Sequence, residues 1–167
     1  MEYFLNEKFF SPTKGVLSLQ EVLAEMVTYM REIPHKTYEV IVGCDSSATQ
    51  DPTFPVVIVV LRKQQGGRFF LRRVHYESRP FPSRRQRIME EVMLSCQLAL
   101  WLRENFATKA AEQGVDYEFK YIHADIGEKG ITRDMVKEVT GLIRGNGFEP
   151  KIKPESFAAS TVADRFS

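Results

Sequence analysis

Three consecutive strands separated only by short turns, then helices alternating with strands: this order of elements admits very few folds. Residues 38–44 (YEVIVGC) read as a strand that ends at Asp45-Ser46-Ser47. Residues 55–63, rich in Val and Ile, and 68–76 read as two more, with Gln65-Gly66-Gly67 as the hairpin turn. Strands so joined form an antiparallel meander, whereas strands alternating with helices pair through crossovers.

Beyond the meander, a long helix is expected over 83–107, with Ile88, Val92, Leu94, Cys96, Leu98, Ala99, Trp101 and Leu102 forming its apolar face. A fourth strand (117–125) follows. Thr132 then caps a helix that turns Met135, Val136, Val139, Leu142 and Ile143 inward and stops at Gly145-Asn146-Gly147. A fifth strand (148–152) and a last helix (155–165) complete the chain. The expected product is an α/β fold: a mixed five-stranded sheet, βββαβαβα, flanked by helices.

Ahead of this unit, residues 1–17 read as an irregular lead-in with a turn at Ser11-Pro12-Thr13-Lys14-Gly15. Ser18 and Glu21 form a capping box for an extra N-terminal helix carrying Leu19, Val22, Leu23, Met26, Val27 and Met30, closed by Pro34. The 167 residues suit one domain, with 1–36 as lead-in and helix. Two lone cysteines, Cys44 and Cys96, exclude a disulfide scaffold and suit reduced, buried thiols. No basic-then-apolar leader opens the chain, and the longest aliphatic run, 56–61, is too short to span a bilayer. A cytoplasmic, membrane-free protein is expected.

Four carboxylates carry the functional reading. Asp45 follows the first strand of the meander, Glu90-Glu91 lie on the long helix, Asp125 ends the fourth strand, and Asp164 sits in the last helix. Taken singly, each has an ordinary explanation: a turn aspartate, a solvated helix face, a surface pair with Arg165. Together, Asp45, Glu91, Asp125 and Asp164 have the order of a ribonuclease-H-like site. Hard divalent cations favour carboxylate oxygens, and two ions about 4 Å apart activate water and stabilise the leaving oxygen of a phosphodiester. Glu91 is preferred to Glu90 because it shares a helix face with Leu94 and Leu98, with small Ser95 four residues on.

The stretches Phe10-Ser11-Pro12-Thr13-Lys14-Gly15, Val42-Gly43-Cys44-Asp45-Ser46-Ser47, His123-Ala124-Asp125-Ile126-Gly127 and Lys153-Pro154-Glu155-Ser156-Phe157-Ala158-Ala159-Ser160 occur in that order. The last continues as Thr161-Val162-Ala163-Asp164-Arg165. In these the chain resembles the YkuK family of ribonuclease-H-like proteins. The resemblance implies a ribonuclease-H-like fold, and nuclease function only through that fold. Cys44 departs from the small polar residue, such as Thr, expected at its position, and it fills a similar space.

Other residues are weighed beside this set. His123 shares a strand face with Asp125; a core histidine hydrogen-bonded to a neighbouring strand is the preferred reading, and an auxiliary role, orienting a metal-bound water or contacting a phosphate, the other. Ser46 and Glu90 are further auxiliary candidates. Asp134 complements a helix dipole, and Gly141, Gly145 and Gly147 do not open a helix as a phosphate loop would. No P-loop, dinucleotide fingerprint or nucleophile elbow is present, which disfavours a small-molecule phosphotransferase.

The net charge is only +1, which at first argues against a nucleic-acid partner. Yet 62–87 holds nine basic residues against the single acid Glu77, a net +8 that leaves −7 for the remainder. Arg68, Arg72, Arg73, Arg84 and Arg85, with Lys153 before the last helix, are the candidate phosphate contacts; a solvated hairpin ion-paired to the acidic remainder explains the run equally well.

The leading expectation is therefore a nuclease dependent on Mg²⁺ or Mn²⁺, acting by a two-metal carboxylate site on RNA, an RNA/DNA hybrid or branched DNA. A carboxylate in the C-terminal helix resembles the junction resolvases somewhat more. The alternative is a non-catalytic nucleic-acid-binding or assembly module that keeps the fold. A homodimer is left open.

Overall fold

The computed structural model describes residues 8–158. Strands β1 (Phe9–Ser11) and β2 (Gly15–Leu17) lead into helix α1 (Leu19–Glu32). The meander follows as β3 (Tyr38–Cys44), β4 (Thr53–Arg62) and β5 (Gly67–His75). Helix α2 (Arg84–Gln113), strand β6 (Glu118–Gly127), a 3₁₀ turn (Arg133–Met135), helix α3 (Val136–Gly145) and strand β7 (Glu149–Lys153) complete the described order. Of the last helix expected over 155–165, residues 155–157 are turn and coil and Ala158 is helical, while the remainder, Asp164 with it, lies outside the described residues.

The sheet has seven strands, ordered β2-β1-β5-β4-β3-β6-β7, not the five expected. The difference is the lead-in, which folds into a hairpin: Phe9 pairs with Leu17, and Phe10 pairs with Leu71 on β5. Strands of three residues are too short to show a period. What holds them is Phe9, buried in the core, and Ser11, whose hydroxyl accepts the N–H groups of Thr13 and Lys14 at 3.3 Å.

Inside the meander β3–β4–β5 pair antiparallel, while β3–β6 and β6–β7 pair parallel. Val56, Val57, Ile58 and Val60 on β4 are fully buried, as a central strand covered on both faces requires. One face packs against the helices, joining Met26 and Met30 of α1, Leu94, Leu98 and Leu102 of α2, and Val139 and Ile143 of α3 in a single core. On the other face Ile41, Val57 and Val59 pack with Ala158.

The capping boxes decide where the helices begin. Ser18 and Glu21 cap α1 reciprocally, and Ser83 with Gln86 does the same for α2. Helix α2 runs past the expected end at residue 107, because Phe106 and Ala110 extend its buried face. Gly114, at φ +68°, stops it in the left-handed conformation that a side chain disfavours. Thr132 does not cap α3 as expected. Its hydroxyl instead accepts the Gly127 N–H at 3.1 Å, and the 3₁₀ turn comes between it and the helix.

Candidate active site

Strand β3 stops at Cys44 and its parallel neighbour β6 runs on to Gly127, with Gly43 opposite His123. Asp45 and Asp125 each lie two residues on, so both carboxylates reach the carboxyl edge of the sheet, where open α/β sheets bind ligands. Helix α2 crosses this edge and adds Glu91. Asp45, Glu91 and Asp125 line one cavity of about 420 Å³.

Glu91 is 7% exposed. Its Oε2 accepts the Ser46 backbone N–H at 3.0 Å and the Ser46 hydroxyl at 2.5 Å. Burial pushes its carboxyl up to about 8, and the charges of Asp45 and Asp125 add to that against the opposing pull of the Ser46 bonds. Adjacent Glu90 points elsewhere: it accepts from the Tyr76 hydroxyl and pairs with Arg79 at 3.4 Å. Arg79 lies over the rings of Tyr76 and Phe81. Glu90 thus fastens the β5–α2 connection, while Glu91 faces the cavity.

His123 stands two residues before Asp125 on β6. Its Nδ1 accepts the backbone N–H groups of Phe157 and Ala158 at 3.1 and 3.2 Å. Burial, helped by the charge of Lys151, lowers the imidazole to about 4. The hydrogen-bond pattern assigns the proton to Nε2, which is buried without a partner among the described residues. The ring therefore tethers the chain after β7 rather than reaching into the cavity. Cys44, fully buried, has its thiol pushed well up by burial and by the nearby carboxylates; it packs as a small apolar group.

The structure divides the basic run. Arg62 is buried: its guanidinium lies 3.9 Å from the Tyr29 ring centroid and donates to the Tyr38 hydroxyl and the Tyr29 carbonyl. Arg68 pairs with Glu32 of α1 at 3.9 Å, and Arg85 with Glu138 of α3. Arg72 and Arg73 lie on β5 opposite Val56 and Pro55, Arg72 half-buried and Arg73 exposed. Of the candidate contacts only Arg84 and Lys153 line the cavity, joined there by Arg87 and Lys129. Arg87 belongs to the basic run but was not singled out. Lys129 was missed altogether; its signal was its place in the loop after Asp125, at the carboxyl edge. Lys153 meets Asp125 Oδ1 at 3.2 Å.

The donor set suits a hard cation. Three carboxylates share a cavity, and among the described residues no ion pair includes Glu91, the most buried of them. The ligand shell is not preformed, since among the described residues no three such side chains converge as a metal-holding group. No helix among the described residues is long and apolar enough to cross a membrane.

The chain belongs to the ribonuclease H-like family, whose model matches residues 21–167. Within it the sequence is similar to the protein named "Uncharacterized protein YkuK" of Bacillus subtilis (strain 168), 28% identical over 166 residues that cover 95% of this chain and 96% of the relative. No solved structure matches it significantly.

Proposed function

We propose that the chain hydrolyses phosphodiester bonds of a nucleic acid, with a divalent cation, Mg²⁺ or Mn²⁺, held by Asp45, Glu91 and Asp125. Asp164 is the fourth carboxylate named from the sequence. The observation that carries this reading is Glu91: a buried carboxyl, raised to about 8 beside two more carboxylates, in a cavity rimmed by Arg84, Arg87, Lys129 and Lys153. Ionising a buried carboxyl beside two others is costly, and a bound cation offsets that cost.

When bound, the cation would supply the positive charge that acidifies water and draws electrons from the phosphate. The chain's own groups do the rest. Ser46 fixes the Glu91 carboxylate through two hydrogen bonds. Arg84, Arg87 and Lys129 take the phosphates on either side of the scissile bond. A non-catalytic binding module is the second reading, favoured by the absence of a converged ligand group among the described residues.

Cleavage of labelled RNA, RNA/DNA hybrid and branched DNA in Mn²⁺ separates the two. Asp45→Asn and Asp125→Asn should each abolish cleavage while leaving the circular dichroism spectrum unchanged. Wild-type cleavage by both variants refutes the site, and binding without cleavage by the wild type favours the module.

A further inference from the structure

Lys153 is placed with more care than a solvated strand-end lysine needs. The β6–β7 ladder pairs His123 with Lys151, and continued in register it would set Lys153 opposite Asp125. The register shifts there, and Lys153 pairs with Gly127 instead. At Gly127 a Cβ would stand 3.3 Å from the Lys153 Cβ and 3.7 Å from its Cδ. The bare glycine therefore lets the lysine stem lie along β6. From that position the ammonium turns back to Asp125 Oδ1 at 3.2 Å. A half-exposed ion pair adds little to stability, and fixing a lysine side chain costs rotamer entropy. The arrangement makes sense as a positive charge held at one carboxylate oxygen.

We propose that the Lys153 ammonium takes the place of one of the two ions of a two-metal site, so that each chain binds a single divalent cation. The inference rests on the metal-dependent reading above. Two ions about 4 Å apart must divide the available carboxylate oxygens between them. Here one of the two oxygens of Asp125 is given to a permanent monovalent charge. A second divalent ion on that oxygen would have to displace the ammonium or sit against it at contact distance, where like charges repel. The residues that bring Lys153 there, Gly127 and the shifted register, belong to the backbone, so the charge is present before any ligand arrives.

The test is the number of ions bound, measured without reference to cleavage. Metal-stripped full chain is titrated with MnCl₂, with free Mn²⁺ followed by electron paramagnetic resonance and heat by calorimetry. One Mn²⁺ per chain is expected for the wild type, rising to two in Lys153→Met, which keeps the stem and removes the charge. Lys153→Gln, with its polar end, gives the same reading should the methionine variant fold poorly. Two ions in the wild type overturn the inference and leave the metal-dependent reading standing. One ion in the wild type and in both variants overturns the role of Lys153. No bound Mn²⁺ in any of them overturns the inference and the metal-dependent reading together.

Discussion

Glu91→Gln is the substitution whose outcome the structure constrains most tightly. In the folded chain the Glu91 carboxyl titrates at about 8, against an ordinary value near 4.5. Between those limits the folded state holds a proton that the unfolded state has released. Stability therefore falls as pH rises through this window, and it is level below and above it. Each pH unit removes about 1.4 kcal/mol, so the whole window removes roughly 5 kcal/mol at most, comparable to the total stability of a small domain. Glutamine keeps an oxygen for the Ser46 N–H and hydroxyl and removes the titration. The variant should match the wild type near pH 5 and exceed it by several kcal/mol at pH 8.5. Urea unfolding at pH 5, 7 and 8.5 in EDTA measures this as a midpoint shift of about 1 M or more at the highest pH. Added Mn²⁺ should flatten the wild-type slope, because a bound cation favours the ionised carboxylate, and should leave the variant's profile unchanged. Parallel pH profiles for wild type and variant in EDTA would refute the argument, since they would mean that Glu91 is ionised in the folded chain like any exposed carboxylate.

Three further outcomes follow from the division of the basic run. Arg84→Ala and Arg87→Ala should each lower the slope of log affinity against log salt for an oligonucleotide by about one. Arg68→Ala, whose guanidinium is engaged by Glu32 and Tyr29, should leave that slope unchanged; fluorescence anisotropy across a salt series reads both. Arg62→Ala should instead act on the fold, costing about 2–4 kcal/mol in urea unfolding, because it strips the buried Tyr29 carbonyl of a charged donor.

The sequence alone was enough for the order of the main helices and strands from α1 to β7, and the order of the carboxylates along them, with the four resembling stretches, pointed to the ribonuclease-H-like fold. Strand alternation, helical spacing and the Ser18/Glu21 capping box are encoded within a few residues of one another, and such local signals survive without knowledge of the partners. The positions of Asp45 and Asp125 were legible for the same reason: Asp45 follows a run whose end is visible in the sequence, Asp125 lies near the end of another that the structure extends to Gly127, and parallel pairing brings the two near one edge. Glu90 against Glu91 was not settled so. Adjacent residues differ by about 100° around a helix, and only the packing of Leu94 and Leu98 into the core fixes which of them meets Ser46 and which meets Tyr76.

Charge distribution was the least legible property. The +8 run looks continuous along the chain, yet folding buries Arg62 under Tyr29, gives Arg68 to α1 and Arg85 to α3, and leaves Arg84 and Arg87 at the cavity. Each of these fates depends on a residue brought close by another element, as Glu138 is to Arg85. The β1–β2 hairpin went unseen because its two strands gain their stability from β5 and the core rather than from their own pattern. Lys153 reaches Asp125 only through a register shift and the bare backbone of Gly127. Short-range order is written in neighbouring residues, whereas the facing of a helix, the pairing of a charge and the register of a strand are set by contacts between distant ones, which exist only once the chain has folded.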